Sequence, residues 1–161
     1  MPATPASAAP PPWLVTIVVD QLAAWEAAER LGLLPADGGF ARLRREGLTV
    51  PELRFEHAAT DTAAGHAALY SGAVPRASGV FANELPGPDG KPRSILIDEQ
   101  THLVGADGVE IKERPGSSLA RLKVETLADV LVRAQPHARV YSFSIKDRAA
   151  LPAAGRKPTC A

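Results

Sequence analysis

The chain has 161 residues with 18 basic and 18 acidic side chains, so its formal net charge is zero. Hydrophobic residues make up 45% and charged residues 22%, which is typical of a folded protein and excludes a disordered chain. The neutral balance argues against nucleic acid or an anionic membrane as a partner, and no apolar run approaches the roughly 18 residues that cross a bilayer. The single cysteine, Cys160, excludes an intrachain disulfide and a metal site built from cysteines.

The first segment, residues 1–12, is rich in Ala, Pro and Ser and predicts a flexible leader. Ala6-Ser7-Ala8 resembles the small-residue end of a signal peptide, but neither a basic nor an apolar segment precedes it. Two explanations stay open: a cytoplasmic tail, or a true start upstream, which we favour.

Four elements are predicted in the next part of the chain. Residues 13–20 (WLVTIVVD) are β-branched and apolar, as in a strand buried on both faces. Residues 22–34 predict a helix, and residues 39–46 predict a shorter one that Gly47 ends. Residues 48–55 predict a strand, although Pro51 weakens it.

The middle of the chain predicts one helix of small residues, over 62–70, closed by Ser71-Gly72. Residues 74–93 contain several prolines and glycines and predict a loop. A short strand is predicted over 94–98, followed by a polar connection through Gly116.

The last part predicts a helix capped by Ser117 or Ser118, with Leu119, Leu122, Leu127, Val130 and Leu131 at helical spacing. Residues 138–144 predict a further strand. Strands that alternate with helices indicate an α/β layered domain with a mostly parallel central sheet and helices on both faces.

Asp20 ends the first predicted strand. Ligands of open α/β sheets bind at the carboxyl ends of the strands, and an aspartate there is costly to bury unless it is paired or coordinates a metal. A helix N-cap is an equally good explanation from position alone.

Thr62 opens the small-residue helix within the segment TDTAAGH. Its hydroxyl would lie beside unpaired backbone N–H groups, an arrangement that binds anions, and small residues would let a tetrahedral group approach the backbone. A threonine is a poor nucleophile without a base or a metal, and a metal is the better candidate here. Taken alone, such a threonine is more often only a cap, and His66 one turn later is more often structural.

Lys146 and Arg148 follow the last predicted strand and could converge on one anionic group. A solvated charged turn is the alternative that chemistry alone favours. Asn83 carries no chemical signal by itself.

Four blocks resemble the alkaline phosphatase superfamily in its type I phosphodiesterase/nucleotide pyrophosphatase branch, and most closely its periplasmic phosphate monoesterases with a threonine nucleophile. They are LVTIVVDQ, TDTAAGHAALYSGAVPRASGVFANE, SSLARLKVETLADVL and SIKDRAALPAAGRKP. The resemblance implies the fold of that superfamily for residues 13–161, incomplete at the carboxyl end.

The resemblance also implies roles for five residues. Asp20 matches a metal-ligand aspartate, and Thr62 matches a nucleophile that also contacts a metal. Asn83 matches the asparagine that binds a phosphoryl oxygen, and Lys146 and Arg148 match the phosphate-binding pair of the monoesterases. The implied reaction is hydrolysis of a phosphorylated small molecule by two-zinc-assisted attack of Thr62, through a phosphothreonine intermediate.

The further zinc ligands of the family lie downstream of the matched part, so we expect an N-terminal fragment that is inactive by itself. The alternatives are a phosphodiesterase or nucleotide pyrophosphatase acting through Thr62, and a non-catalytic truncated α/β module. The complete protein is expected to be periplasmic or secreted, although no intact signal peptide is visible.

Overall fold

The computed structural model describes residues 13–161, so the predicted leader over residues 1–12 lies outside the described residues. The chain divides into two compact units, with the boundary between Glu52 and Leu53. We call residues 13–52 the first unit and residues 53–161 the second unit, and describe each by itself. No helix within residues 13–161 is long and apolar enough to cross a membrane.

The first unit contains two short helices at the predicted places. Helix α1 spans Ala24–Arg30 and continues into a 3-10 turn over Leu31–Leu33. Helix α2 spans Gly39–Glu46 and ends at Gly47, as predicted. Each helix carries an ion pair between residues four apart, Glu26 with Arg30 and Arg42 with Glu46, worth about 0.3–0.5 kcal/mol apiece at an exposed site.

The predicted strands over residues 13–20 and 48–55 are wrong for the described part of the chain, where both segments are irregular and exposed. Trp13 and Ile17 are each 81% exposed, and Leu48 is 93% exposed. An apolar run becomes a strand only when a neighbour pairs with its N–H and C=O groups. No described residue pairs with these two segments in this way. The apolar pattern indicates that a segment can be buried, but it does not show that a partner strand is present.

The second unit contains four helices: α3 over Thr62–Ser71, α4 over Pro75–Ser78, α5 over Leu127–Ala134 and α6 over Asp147–Ala154. Helix α3 packs against the other three, and α5 also packs against α6. The prediction of α3 is confirmed, and Gly72 closes this helix with a φ of +66°, which favours glycine.

Two antiparallel hairpins occupy the segments predicted as a loop and as a polar connection, and both of those predictions are wrong. Strand β1 (Glu84–Pro86) pairs with β2 (Pro92–Ser94). Strand β3 (Ile97–Val104) pairs with β4 (Glu110–Ser117), so the strand predicted over 94–98 lies largely later in the chain. The turns depend on Gly90 and Gly108, whose φ angles are +75° and +79°.

The helix predicted from Ser117 or Ser118 begins later than expected, at Leu127. Thr126 caps it with a reciprocal pair of hydrogen bonds: the Thr126 hydroxyl accepts from the Asp129 N–H at 3.2 Å, and the Asp129 carboxylate accepts from the Thr126 N–H at 2.9 Å. Leu119 and Leu122, which were predicted to belong to this helix, are buried in the irregular segment before its cap.

The strand predicted over 138–144 is also wrong as an extended element. Tyr141 forms an isolated parallel bridge with Cys160, supported by hydrogen bonds from Ser142 N–H to the Cys160 carbonyl (3.0 Å) and from Thr159 N–H to the Val140 carbonyl (2.8 Å). Among residues 13–161, the two sheets are antiparallel hairpins and this isolated bridge is the parallel pairing. The prediction of a mostly parallel central sheet is therefore wrong for the described residues.

The core of the second unit is built around the small residues of α3. Its fully or nearly fully buried members are Ala63, Ala67, Val80, Ile95, Leu96, Leu119 and Leu122. Ala150 and Ala154 of α6 are buried as well. Small side chains on both helices let their backbones approach closely where α3 packs on α6.

Candidate active site

Helix α3 begins at Thr62, directly after the N-cap residue Asp61. The Gly65 N–H donates to the Asp61 carbonyl at 2.8 Å, which makes the first bond of the helical ladder. The N–H groups of the first helical turn find their acceptors outside the helical ladder, as that of Ala63 does. Ala63, Ala64 and Gly65 are buried, whereas Thr62 is partly accessible.

Asn83 reaches this helix start from 20 residues further along the chain. Its Oδ1 accepts from the Ala63 N–H at 2.9 Å, and its own backbone N–H donates to Asp61 Oδ2 at 3.3 Å. A backbone N–H pairs only with an acceptor, so the oxygen of the Asn83 amide faces Ala63 and the NH₂ group is on the opposite branch. The structure therefore brings Asn83 and Thr62 together, with the amide orientation fixed.

His66 uses its ring to stabilise the same helix. It is 7% exposed, and its Nδ1 lies 2.9 Å from the Thr62 carbonyl oxygen. Because a carbonyl only accepts, Nδ1 carries the proton and donates. The ring also stacks on Tyr70, with centroids 6.4 Å apart, and burial raises the pKa of the Tyr70 hydroxyl. These contacts place His66 in the packing of α3.

Lys146 is the N-cap residue of helix α6, and Asp147 and Arg148 are its first two residues. The charged segment is therefore the start of a helix, and the phosphate-binding role of Lys146 and Arg148 stays a prediction. Asp147 is fixed by the Ser117 hydroxyl, which donates to its Oδ2 at 2.5 Å. Its Oδ1 accepts from the Arg148 backbone N–H at 2.7 Å and lies 4.0 Å from the Arg148 guanidinium. Asp147 thus orients the start of the helix that carries both cations.

The Arg148 side chain has a buried donor that no described group satisfies. Its Nε is buried and has no hydrogen-bond partner among residues 13–161, although the side chain as a whole is 30% exposed. Leaving a buried donor unpaired costs about 1–3 kcal/mol, and more when the group is charged. An anion bound at this guanidinium would remove that cost.

Asp20 belongs to the first unit, in an exposed position at the end of the irregular segment 13–19. The next residue, Gln21, has a φ of +64°, so the backbone turns sharply there. The other four predicted site residues belong to the second unit. The metal-ligand role of Asp20 stays a prediction.

The donor set does not by itself fit the predicted pair of zinc ions. Within residues 13–161, no three His, Cys, Asp or Glu side chains gather so that they could hold a metal ion. Zinc needs three or four protein ligands in catalytic and structural sites. Asp20 and Thr62 would supply two oxygen ligands at most.

One structural connection escaped the sequence analysis: Arg156 ties the end of α6 to the start of α5. Its backbone N–H and guanidinium donate to Asp129 at 2.7 and 3.0 Å, and a second guanidinium nitrogen donates to the Leu122 carbonyl at 2.6 Å. Burial would raise the pKa of Asp129, but these bonds, those from Thr126 and the Arg156 charge outweigh it and lower that pKa. Two features of the sequence could have indicated this connection. They are Gly155 directly after α6, and Thr126 and Asp129 at the spacing of a capping box.

The model of the type I phosphodiesterase/nucleotide pyrophosphatase family matches residues 14–142. The chain belongs to this family. The resemblance noted in its four sequence blocks is thereby confirmed.

Several relatives are alkaline phosphatases. The chain is 35% identical to alkaline phosphatase PhoK of a Sphingomonas species over 147 residues, which are 90% of this chain and 25% of that protein. It is 32% identical to alkaline phosphatase PhoV of Synechococcus elongatus over 149 residues, covering 91% of this chain and 26% of the relative. The chain therefore spans about a quarter of the length of the curated relatives it matches.

The fold is similar to that of a solved alkaline phosphatase. The crystal structure of wild-type PafA superposes with a TM-score of 0.73 at 28% identity, over 84% of this chain and 26% of that one. A PafA mutant with four substitutions superposes with a TM-score of 0.67 at 26% identity, over 76% of this chain and 24% of that one. The predicted fold class, an incomplete α/β domain like that of alkaline phosphatases, is confirmed.

Proposed function

We propose that residues 13–161 are the N-terminal portion of an alkaline-phosphatase-like domain, and that the complete protein hydrolyses phosphate monoesters with Thr62 as the nucleophile. The observation that carries this proposal is the hydrogen bond from the Ala63 N–H to Asn83 Oδ1. It joins the residue after the nucleophile to the asparagine proposed to bind the phosphoryl group.

The proposed reaction has two steps. The Thr62 oxygen forms a bond to phosphorus while the bond to the leaving oxygen breaks, and the hydroxyl proton passes to that oxygen, which gives a phosphothreonine and releases the alcohol. Water then attacks the same phosphorus as the bond to the Thr62 oxygen breaks, and one proton of the water returns to that oxygen, which regenerates Thr62 and releases inorganic phosphate. The Asn83 NH₂ group, Lys146 and Arg148 bind the non-bridging oxygens, where negative charge is stabilised in the transition state.

Two observations support the proposed phosphate-binding residues. The unpaired, buried Nε of Arg148 is a donor that an anion would satisfy. In the PafA mutant, the substituted residues are a threonine, an asparagine, a lysine and an arginine. The threonine and asparagine of PafA are separated by the same number of residues as Thr62 and Asn83. Its lysine and arginine are likewise spaced as Lys146 and Arg148 are.

Alkaline phosphatases are generally metal-dependent, act on phosphorylated small molecules and are typically secreted or periplasmic. For the complete protein we propose zinc as the metal, a phosphorylated small molecule as the substrate and a periplasmic or secreted location. Because the described donors do not complete a zinc site, the 161-residue chain should not bind two zinc ions tightly in a calorimetric titration. Tight binding of two ions per chain would contradict this.

The nucleophile can be tested by substitution in the complete protein. Thr62→Ala should abolish turnover of 4-nitrophenyl phosphate without changing the metal content, whereas Thr60→Ala, an exposed threonine two residues earlier, should retain it. Trapping with labelled substrate and acid should yield a phosphothreonine at position 62. Undiminished turnover by Thr62→Ala, or label at another residue, would refute the assignment.

The description of the family favours a second candidate, hydrolysis of phosphodiesters or nucleotide pyrophosphates through the same Thr62. The ratio of kcat/KM for 4-nitrophenyl phosphate and for bis(4-nitrophenyl) phosphate separates the two functions. The monoesterase proposal predicts a ratio above one that falls in Lys146→Ala, because the more highly charged monoester depends more on this cation. A ratio well below one would favour the diesterase.

A further inference from the structure

A cation-lined groove lies on the second unit, outside the proposed phosphate-binding residues. It encloses about 500 Å³ and contains Arg76, Arg121 and Lys123, with Phe81 also in its wall. No carboxylate lines it. In the part of the chain that the structure describes, none of these three cations forms an ion pair or a side-chain hydrogen bond.

The backbone holds these three cations together despite their mutual repulsion. The Lys123 N–H donates to the Ser78 carbonyl at 2.8 Å, and Ser78 itself is 1% exposed. Gly79 has a φ of +81°, and a Cβ there would lie 2.8 Å from the Arg121 carbonyl oxygen. Because residue 79 is glycine, the backbone near Arg76 can pack closely against the backbone of residues 121–123.

One wall of the groove is close in sequence to the proposed phosphate-binding residue Asn83. Phe81 is half exposed in its wall, and Asn83 contacts the start of α3 two residues later. Two residues of extended chain span at most about 7 Å, so the rim of the groove begins within that distance of the Asn83 backbone. The Phe81 wall of the groove is therefore within reach of a small organic molecule bound at Asn83.

We propose that this groove binds a second phosphate group, on a ligand whose first phosphate lies at Asn83 and Arg148. The proposal rests on the proposed function and adds a specificity site to it. Three unpaired cations attract a dianion, and no nearby carboxylate in the lining opposes it. Phe81 offers an apolar surface to the carbon skeleton that joins the two phosphates.

The test compares ligands that differ by one phosphate. Binding of fructose 1,6-bisphosphate and fructose 6-phosphate is measured by calorimetry on the full chain carrying Thr62→Ala, so that neither ligand is turned over. The groove variant is Arg76→Gln, Arg121→Gln and Lys123→Gln, which keeps most of each side chain. The control variant is Lys112→Gln, Arg114→Gln and Arg139→Gln, which removes the same charge from exposed cations outside the groove.

We expect the groove variant to lose about 10-fold in affinity for the bisphosphate and less than about 2-fold for the monophosphate, with the control variant unchanged for both. Equal losses in the two variants would overturn the proposal, since they would indicate a general charge effect. Inorganic tripolyphosphate against orthophosphate shows whether a condensed phosphate chain serves as well as an organic bisphosphate. Adding Arg148→Met to the groove variant tests the first phosphate site separately. Orthophosphate binding that survives in this combined variant would refute the proposed phosphate-binding role of Arg148, while the groove result stands.

Discussion

Substitution of Gly155 by alanine should destabilise the second unit strongly. Gly155 follows α6 with a φ of +75° and a ψ of −171°, a conformation that is almost restricted to glycine and costs other residues about 1–3 kcal/mol. The new Cβ would also lie 2.8 Å from Asp129 Oδ1 and 2.9 Å from Thr126 Oγ1. Displacing these groups disrupts the cap of α5, worth about 0.5–2 kcal/mol, so we expect a loss of about 3 kcal/mol in the free energy of unfolding.

The matched control is Gly90→Ala. Gly90 has the same φ of +75°, but nothing lies within 4 Å of the position a Cβ would take. This variant should lose only about 1–2 kcal/mol, the penalty of the left-handed backbone.

Unfolding in urea should be followed by circular dichroism and by hydrogen exchange of α5 and α6. The two tryptophans, Trp13 and Trp25, belong to the first unit, so hydrogen exchange is the direct probe of α5 and α6. If Gly155→Ala and Gly90→Ala lose the same stability within about 0.5 kcal/mol, the argument from the steric contact with Asp129 and Thr126 is wrong.

Three further variants address the cap and the site. Folding lowers the pKa of Asp129, so its stabilising contribution is present above the ordinary value of 3.8 and is lost as the pH falls through the lower folded-state pKa. Urea titrations at decreasing pH should therefore show a steeper loss of unfolding free energy for the wild type than for Asp129→Asn. Thr126→Ala should cost about 0.5–2 kcal/mol in the same assay, with unchanged stability counting against the capping role. Asn83→Asp keeps an oxygen for the Ala63 N–H but replaces the NH₂ donor with a negatively charged oxygen. The kcat of the complete protein should therefore fall about 100-fold or more, while the melting temperature stays near that of the wild type. A large drop in melting temperature would show that the residue acts mainly in folding.

Local signals predicted some elements well. Helix α2 ends at Gly47 and α3 ends at Gly72, because a glycine after the last helical residue is a short-range signal. The spacing of Thr126 and Asp129 was a local signal for the start of α5 at Leu127. The leucines upstream also have helical spacing, so the predicted helix began too early.

Other features depend on partners far away in the chain, and the sequence pattern alone could not reveal them. The apolar run at 13–20 predicts a strand, yet strand formation requires a neighbour that no described residue provides. Helix α6 was missed because Pro152 lies inside it, and an internal proline argues against a helix. Asn83 gave no chemical signal since its partner, Ala63, lies 20 residues earlier; only the family resemblance indicated it.

Helix α6 is attached at both of its ends. Ser117 holds Asp147 at the first residue, and Arg156, just after the last turn, holds Asp129. A short rod fixed at two points can neither swing about one end nor slide along its axis. Any adjustment of Lys146 and Arg148 to ligands of different size must therefore come from rotation of their own side chains. If they bind phosphate as proposed, they should select it by a fixed geometry and leave discrimination between organic groups to other surfaces.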